Sequence, residues 1–126
     1  MEYKEFIHAV TDRTSLSRQE AADLTRATME ALAERLSDGE ATQLALQLPD
    51  GLAEYVRPQK RKPAERFGLE EFVRKVSQHT GLTPEETTRG VRAVLTTLRE
   101  AVSADEFDDV MSQLPRGFSD LLETAT

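Results

Sequence analysis

Cysteine is absent from these 126 residues, which removes thiolate nucleophiles, thiolate metal ligands and disulfides from the chemistry the chain can do. What remains is two histidines, many carboxylates and a few arginines and glutamines at suggestive spacings. His8 and His79 have no second histidine at helical spacing. They read as solvent-exposed side chains rather than metal ligands. Glu70-Glu71, Glu85-Glu86 and Asp108-Asp109 are adjacent acids. Paired carboxylates do acid–base work when one is desolvated, but here they fall on polar faces or in first helical turns, where negative charge suits the helix dipole. There is no phosphate-cradling glycine loop, nucleophile elbow or zinc motif. No catalytic, cofactor or metal residue is therefore assigned, no cofactor is expected, and the chain is read as not being an enzyme.

The elements that would position any site come from a repeat. Shifted by 66 positions, residues 3–56 fall on 69–122 without a gap, with 16 identities in 54 pairs. A repeat of this kind has to be found first, because missing it mis-assigns the fold. Tyr3, Phe6, Ile7 and Val10, and their counterparts Leu69, Phe72, Val73 and Val76, follow the i, i+3, i+4, i+7 spacing of an amphipathic helix. Ser17 with Glu20 and Thr83 with Glu86 predict capping boxes that open a long second helix. Ser37 with Glu40 and Ser103 with Glu106 predict the same device at a third. Pro49 and Pro115 end that helix, and Leu52, Tyr55 and Val56, matched by Phe118, Leu121 and Leu122, supply a short fourth. The expected fold is all-α: a compact helical bundle of two tandem pseudo-equivalent repeats. Residues 1–126 form one domain, with repeat unit 1–56, a basic linker at 57–68 and repeat unit 69–126.

Most residues kept in both copies are apolar or capping. Three polar pairs stand apart: Arg26/Arg92, Glu34/Glu100 and Gln47/Gln113. The plain reading of the arginines is an ion pair between helices or a bond to carbonyls at a helix end. The sharper one is a pseudo-symmetric pair lining a groove that takes an anionic group. Arg26, Arg92, Gln47 and Gln113 are thus the candidate inter-repeat polar site.

Net charge is -7, distributed as two acidic units of -6 and -5 around a linker of +4 that holds Arg57, Lys60, Arg61, Lys62 and Arg66. Such a cluster suits phosphate contacts. It has no interleaved aromatic between Lys60 and Lys62, and it lies between two acidic units, so a solvated linker is favoured over nucleic-acid contact. Met1-Glu2-Tyr3-Lys4-Glu5 lacks the basic and apolar regions of a signal peptide, and no apolar run reaches the ~20 residues of a membrane span. A cytoplasmic location without membrane partners is expected.

The blocks Tyr3-x-Glu5-Phe6, Thr25-Arg26-Ala27, Ala31-Leu32, Glu34-Arg35-Leu36-Ser37, Gly39-Glu40-Ala41, Leu44 and Gln47-Leu48-Pro49 are followed by Phe67, Glu71, Phe72 and Val76. Together they resemble the bacterial domain-of-unknown-function family 2267, over nearly the whole chain. The second copy departs from the first at Gly39-Glu40, reading Asp105-Glu106, but keeps the glutamate. The resemblance implies a small all-helical bacterial protein and carries no catalytic residues with it. The favoured role is a non-enzymatic protein-interaction or scaffold module, with a protein partner or self-association. A ligand-binding or regulatory domain with its site between the repeats is second, and nucleic-acid contact through the linker third.

Overall fold

The computed structural model describes residues 1–58 and 64–123. The linker residues Lys60, Arg61 and Lys62 lie outside the described residues, so the expectation attached to them is not addressed by the fold. Among the described residues there are eight helices and no strand. They are α1 (Tyr3–Arg13), α2 (Arg18–Arg35), α3 (Asp38–Gln47), α4 (Ala53–Val56), α5 (Leu69–Thr80), α6 (Pro84–Ala101), α7 (Ala104–Ser112) and α8 (Arg116–Glu123). Helices α2 and α6 coincide residue for residue under the 66-residue offset, α1/α5 and α3/α7 differ by one residue at an end, and α8 (8 residues) is twice as long as α4 (4 residues).

The apolar stripes read from the sequence are the buried ones. Phe6, Ile7 and Val10 of α1 and Phe72, Val73 and Val76 of α5 are buried. So are Leu32, Val91, Val94, Leu95 and Leu98 on the long helices, and Leu36 just past the end of α2. Thr25 and Thr28 also face the core, and each hydroxyl donates to the carbonyl four residues back, Ala21 at 2.7 Å and Leu24 at 2.8 Å. That bond removes the cost of burying a hydroxyl, which would otherwise be about 1–3 kcal/mol. Phe72 and Phe118 meet edge to face at 5.0 Å and tie α5 to α8.

The two units interlock rather than stack side by side. Helix α1 packs on α2 of its own unit and on α6 of the other, while α5 packs on α6 and on α2. Helices α2 and α6 also meet directly. Leu24 and Gly90, equivalent positions under the offset, pack against each other there. A Cβ on Gly90 would lie 2.5 Å from Leu24 Cδ2, so a larger residue there would force the leucine methyls to shift. The crossing brings α3 against α7. No helix of the described residues is long and apolar enough to cross a membrane.

Candidate functional site

The seam between the units is built from helix starts. At α2 the expected capping box is complete: Glu20 N–H donates to Ser17 Oγ at 3.1 Å, and Ser17 N–H donates to Glu20 Oε1 at 2.9 Å. The α6 start repeats it with Thr83 and Glu86 at 3.1 and 3.0 Å. At α3 and α7 the expectation needs correction. The serine halves form, with Glu40 N–H donating to Ser37 Oγ at 3.2 Å and Glu106 N–H donating to Ser103 Oγ at 3.1 Å. The return bonds from the glutamates do not. Ser37 N–H donates instead to Gln113 Oε1 of the second unit at 2.8 Å, and Ser103 N–H to Gln47 Oε1 of the first at 2.7 Å. Each glutamine amide also donates to the same serine's Oγ at 3.3 Å. A glutamine from across the seam has taken the place the local glutamate would fill.

Of the four residues anticipated between the repeats, Gln47 and Gln113 are thus brought into one crossed arrangement. Arg26 lies elsewhere: it is exposed, 3.5 Å from Glu30 on its own helix, and stacks over Tyr55 at 5.0 Å. Arg92 is half-buried on α6, with no ion-pair partner among the described residues. The third retained pair does join the units. Arg13 of α1 reaches Glu100 of α6 at 2.6 Å and Thr97 Oγ1 at 2.7 Å, while Lys75 of α5 reaches Glu34 of α2 at 3.2 Å. The bond from Arg13 holds the Glu100 carboxyl below its ordinary range. These pairs are largely open to water, so each contributes only about 0–1 kcal/mol.

Freed from capping, Glu40 and Glu106 turn toward one another across α3 and α7, and Asp109 joins them from the next turn of α7. One carboxylate oxygen from each lies within 4.8 Å of the others. Glu106 is 5% exposed, Glu40 is half-buried and Asp109 is exposed. Oε2 of Glu106 and Oε2 of Glu40 are buried with no partner, unless a proton sits between the two carboxyls. Burial first, then the hydrogen bond and charge of Glu40, then the charge of Asp109, push Glu106 up to about 8. The sequence reading missed this cluster, having assigned both glutamates to caps. The signal was present, since Glu40 and Glu106 are identical under the offset.

A second feature sits beside the same seam. Arg35, at the end of α2, is 9% exposed. Its guanidinium donates to the carbonyls of Glu65 and, at 2.8 Å, Gln113, and it stacks over Phe67 at 5.6 Å. Among the described residues it has no carboxylate within ion-pair distance, and its Nε is buried without a partner. Burial, with the Arg66 charge adding, holds its pKa below the ordinary value. Arg35, Arg66, Phe67 and Gln113, with Ser37 and Pro115, line an open groove of about 780 Å³ between the units and the linker. Arg35 escaped the repeat comparison because its counterpart is Ala101. The guanidinium at this helix end is therefore supplied by the first unit alone.

No curated protein matches the chain. The family described as "Uncharacterized conserved protein (DUF2267)" matches residues 3–121, and the chain belongs to that family.

Proposed function

We propose that this protein is a non-enzymatic ligand-binding domain whose groove between the repeats takes a small molecule through a carboxylate or phosphate group. The observation that carries this reading is Arg35. A buried charge needs a partner or a full set of hydrogen bonds. Arg35 has two carbonyls, a phenyl face, a bare Nε and a second cation, Arg66, beside it. An anion entering the groove would meet both guanidiniums and the Ser37 hydroxyl, groups suited to holding an anion. The interaction-module reading has less to draw on. Among the described residues the large apolar side chains left well exposed are Met1 and Leu46, short of the several hundred Å² typical of a docking face.

The test is titration of the full chain with inorganic phosphate, pyrophosphate and succinate, followed by amide chemical shifts. Saturable shifts at Arg35, Phe67 and Gln113 with a dissociation constant near or below about 1 mM, some 4 kcal/mol, are expected for at least one probe. The shifts should be lost in Arg66→Gln and in Arg35→Lys. Shifts that do not saturate, or that survive both substitutions, would remove the groove as the site.

A further inference from the structure

We propose that Glu40, Glu106 and Asp109 form a binding site for a hard divalent cation, of the Ca²⁺, Mg²⁺ or Mn²⁺ class, at the seam of α3 and α7. Three observations converge on it. First, oxygens bound to one such ion at about 2.0–2.6 Å stand roughly 3–5 Å apart, and the three carboxylates already present an oxygen each within 4.8 Å of the others. Second, Glu106 is almost wholly buried and its Oε2 has no protein donor, as is true of Glu40 Oε2. Third, the geometry results from a specific exchange. Gln47 and Gln113 take over the N-cap amides, so the two glutamates are released from the work their position normally gives them.

The charges that act on Glu106 come from Glu40 on α3 and Asp109 on α7, and both are negative. Among the described residues, no lysine or arginine charge is among the groups that shift Glu106. An all-oxygen, all-anionic donor set selects hard cations over the softer metals that favour imidazole or thiolate. The exposed Asp109 side leaves room for water to complete the coordination shell, as such ions require. Asp109 aligns with Gln43 in the first unit, so the site holds three carboxylates and lies on the second unit's side of the seam.

The experiment titrates the full chain, stripped of metal, with Mn²⁺. Paramagnetic broadening of amide signals reports position, and calorimetry reports stoichiometry. Broadening centred on residues 37–43 and 103–110, one ion per chain, and a dissociation constant on the order of 10⁻⁴–10⁻³ M are expected, with Ca²⁺ or Mg²⁺ competing. Glu106→Gln should weaken binding at least tenfold, since even outer-shell changes cost about 10–100-fold. Asp109→Asn, an exposed change that spares the core, should weaken it too, whereas Asp108→Asn should not. Broadening scattered over the acidic surface, or an affinity that neither Glu106→Gln nor Asp109→Asn alters, would overturn the site and leave the carboxyls as a proton-sharing pair.

Discussion

Glu86 and Glu106 are both the third residue of a helix opened by a hydroxyl N-cap, and the fold treats them oppositely. Glu86 closes its own box at the start of α6. The backbone N–H and side chain of Thr83 hold its carboxyl below the ordinary range. Glu106, at the start of α7, finds its box occupied by Gln47 and is turned inward against Glu40 and Asp109, which leaves its carboxyl raised to about 8. The local sequence signal is the same in both places. The difference is made by Gln47, 56 positions from the Ser103 cap in the chain, which arrives through the packing of the two units. A capping motif states which bonds a helix start can make. Tertiary neighbours decide which of them it does make.

The largest change to this contrast should come from disturbing the crossing that sets the seam. Gly90→Ala places a Cβ against Leu24 at 2.5 and 2.8 Å from its two methyls. A cost of about 1–3 kcal/mol is expected, the range for overpacking. Denaturant unfolding would measure it, and a loss under about 0.5 kcal/mol, the level of a neutral surface change, would show that α2 and α6 do not meet tightly there. A smaller effect distinguishes the two kinds of cap. Thr83→Ala removes the hydroxyl half of the α6 capping box and should cost about 1 kcal/mol. Gln113→Ala should cost less than that, because Glu40 can swing back to the Ser37 N–H and build the box seen at Ser17. Thermal melts of the two variants side by side give the comparison. A larger loss for Gln113→Ala would mean that Glu40 is held in the seam by something stronger than the vacancy of its cap.

Much of the architecture was legible because it repeats. The 66-residue offset returns α2 and α6 with identical bounds, and the retained Phe6/Phe72 and Leu32/Leu98 pairs are core residues. Gln47 and Gln113 were also visible as a retained polar pair, and each bonds a serine of the other unit. The partner of each apolar face was not visible. Periodicity shows that α1 has a stripe, but not that the stripe lies on α6 as well as on α2. The glutamates were seen and assigned to the nearest bond, since spacing records only local partners. Arg35 was passed over for the opposite reason: with alanine at its counterpart, a search for retained residues filters it out. Arg26 was retained, yet its partners Glu30 and Tyr55 belong to its own unit.

The two carboxyls also predict opposite pH dependences in metal-free buffer. Between the ordinary value of 4.5 and about 8, folded Glu106 keeps a proton that the unfolded chain has released. Its contribution is therefore complete below 4.5, declines as pH rises through that window and is flat above it. Glu86 is lowered, so its contribution is present above its ordinary value and is lost as pH falls through it. Glu106→Gln should flatten the decline on the alkaline side, and Glu86→Gln the loss on the acid side. Unfolding free energies across pH would show whether each substitution alters only its own limb.

The most direct test follows the side-chain carboxyl carbons themselves. With glutamate labelled and metal removed, a carbon-13 titration of the native protein reads Glu86 and Glu106 separately. Glu106 is expected to titrate at about 8 and Glu86 below the ordinary value of 4.5, with the Glu106 midpoint falling when Glu40 is replaced by glutamine. Two glutamates that titrate together in the ordinary carboxylate range would contradict the exchange of caps at the seam and everything built on it.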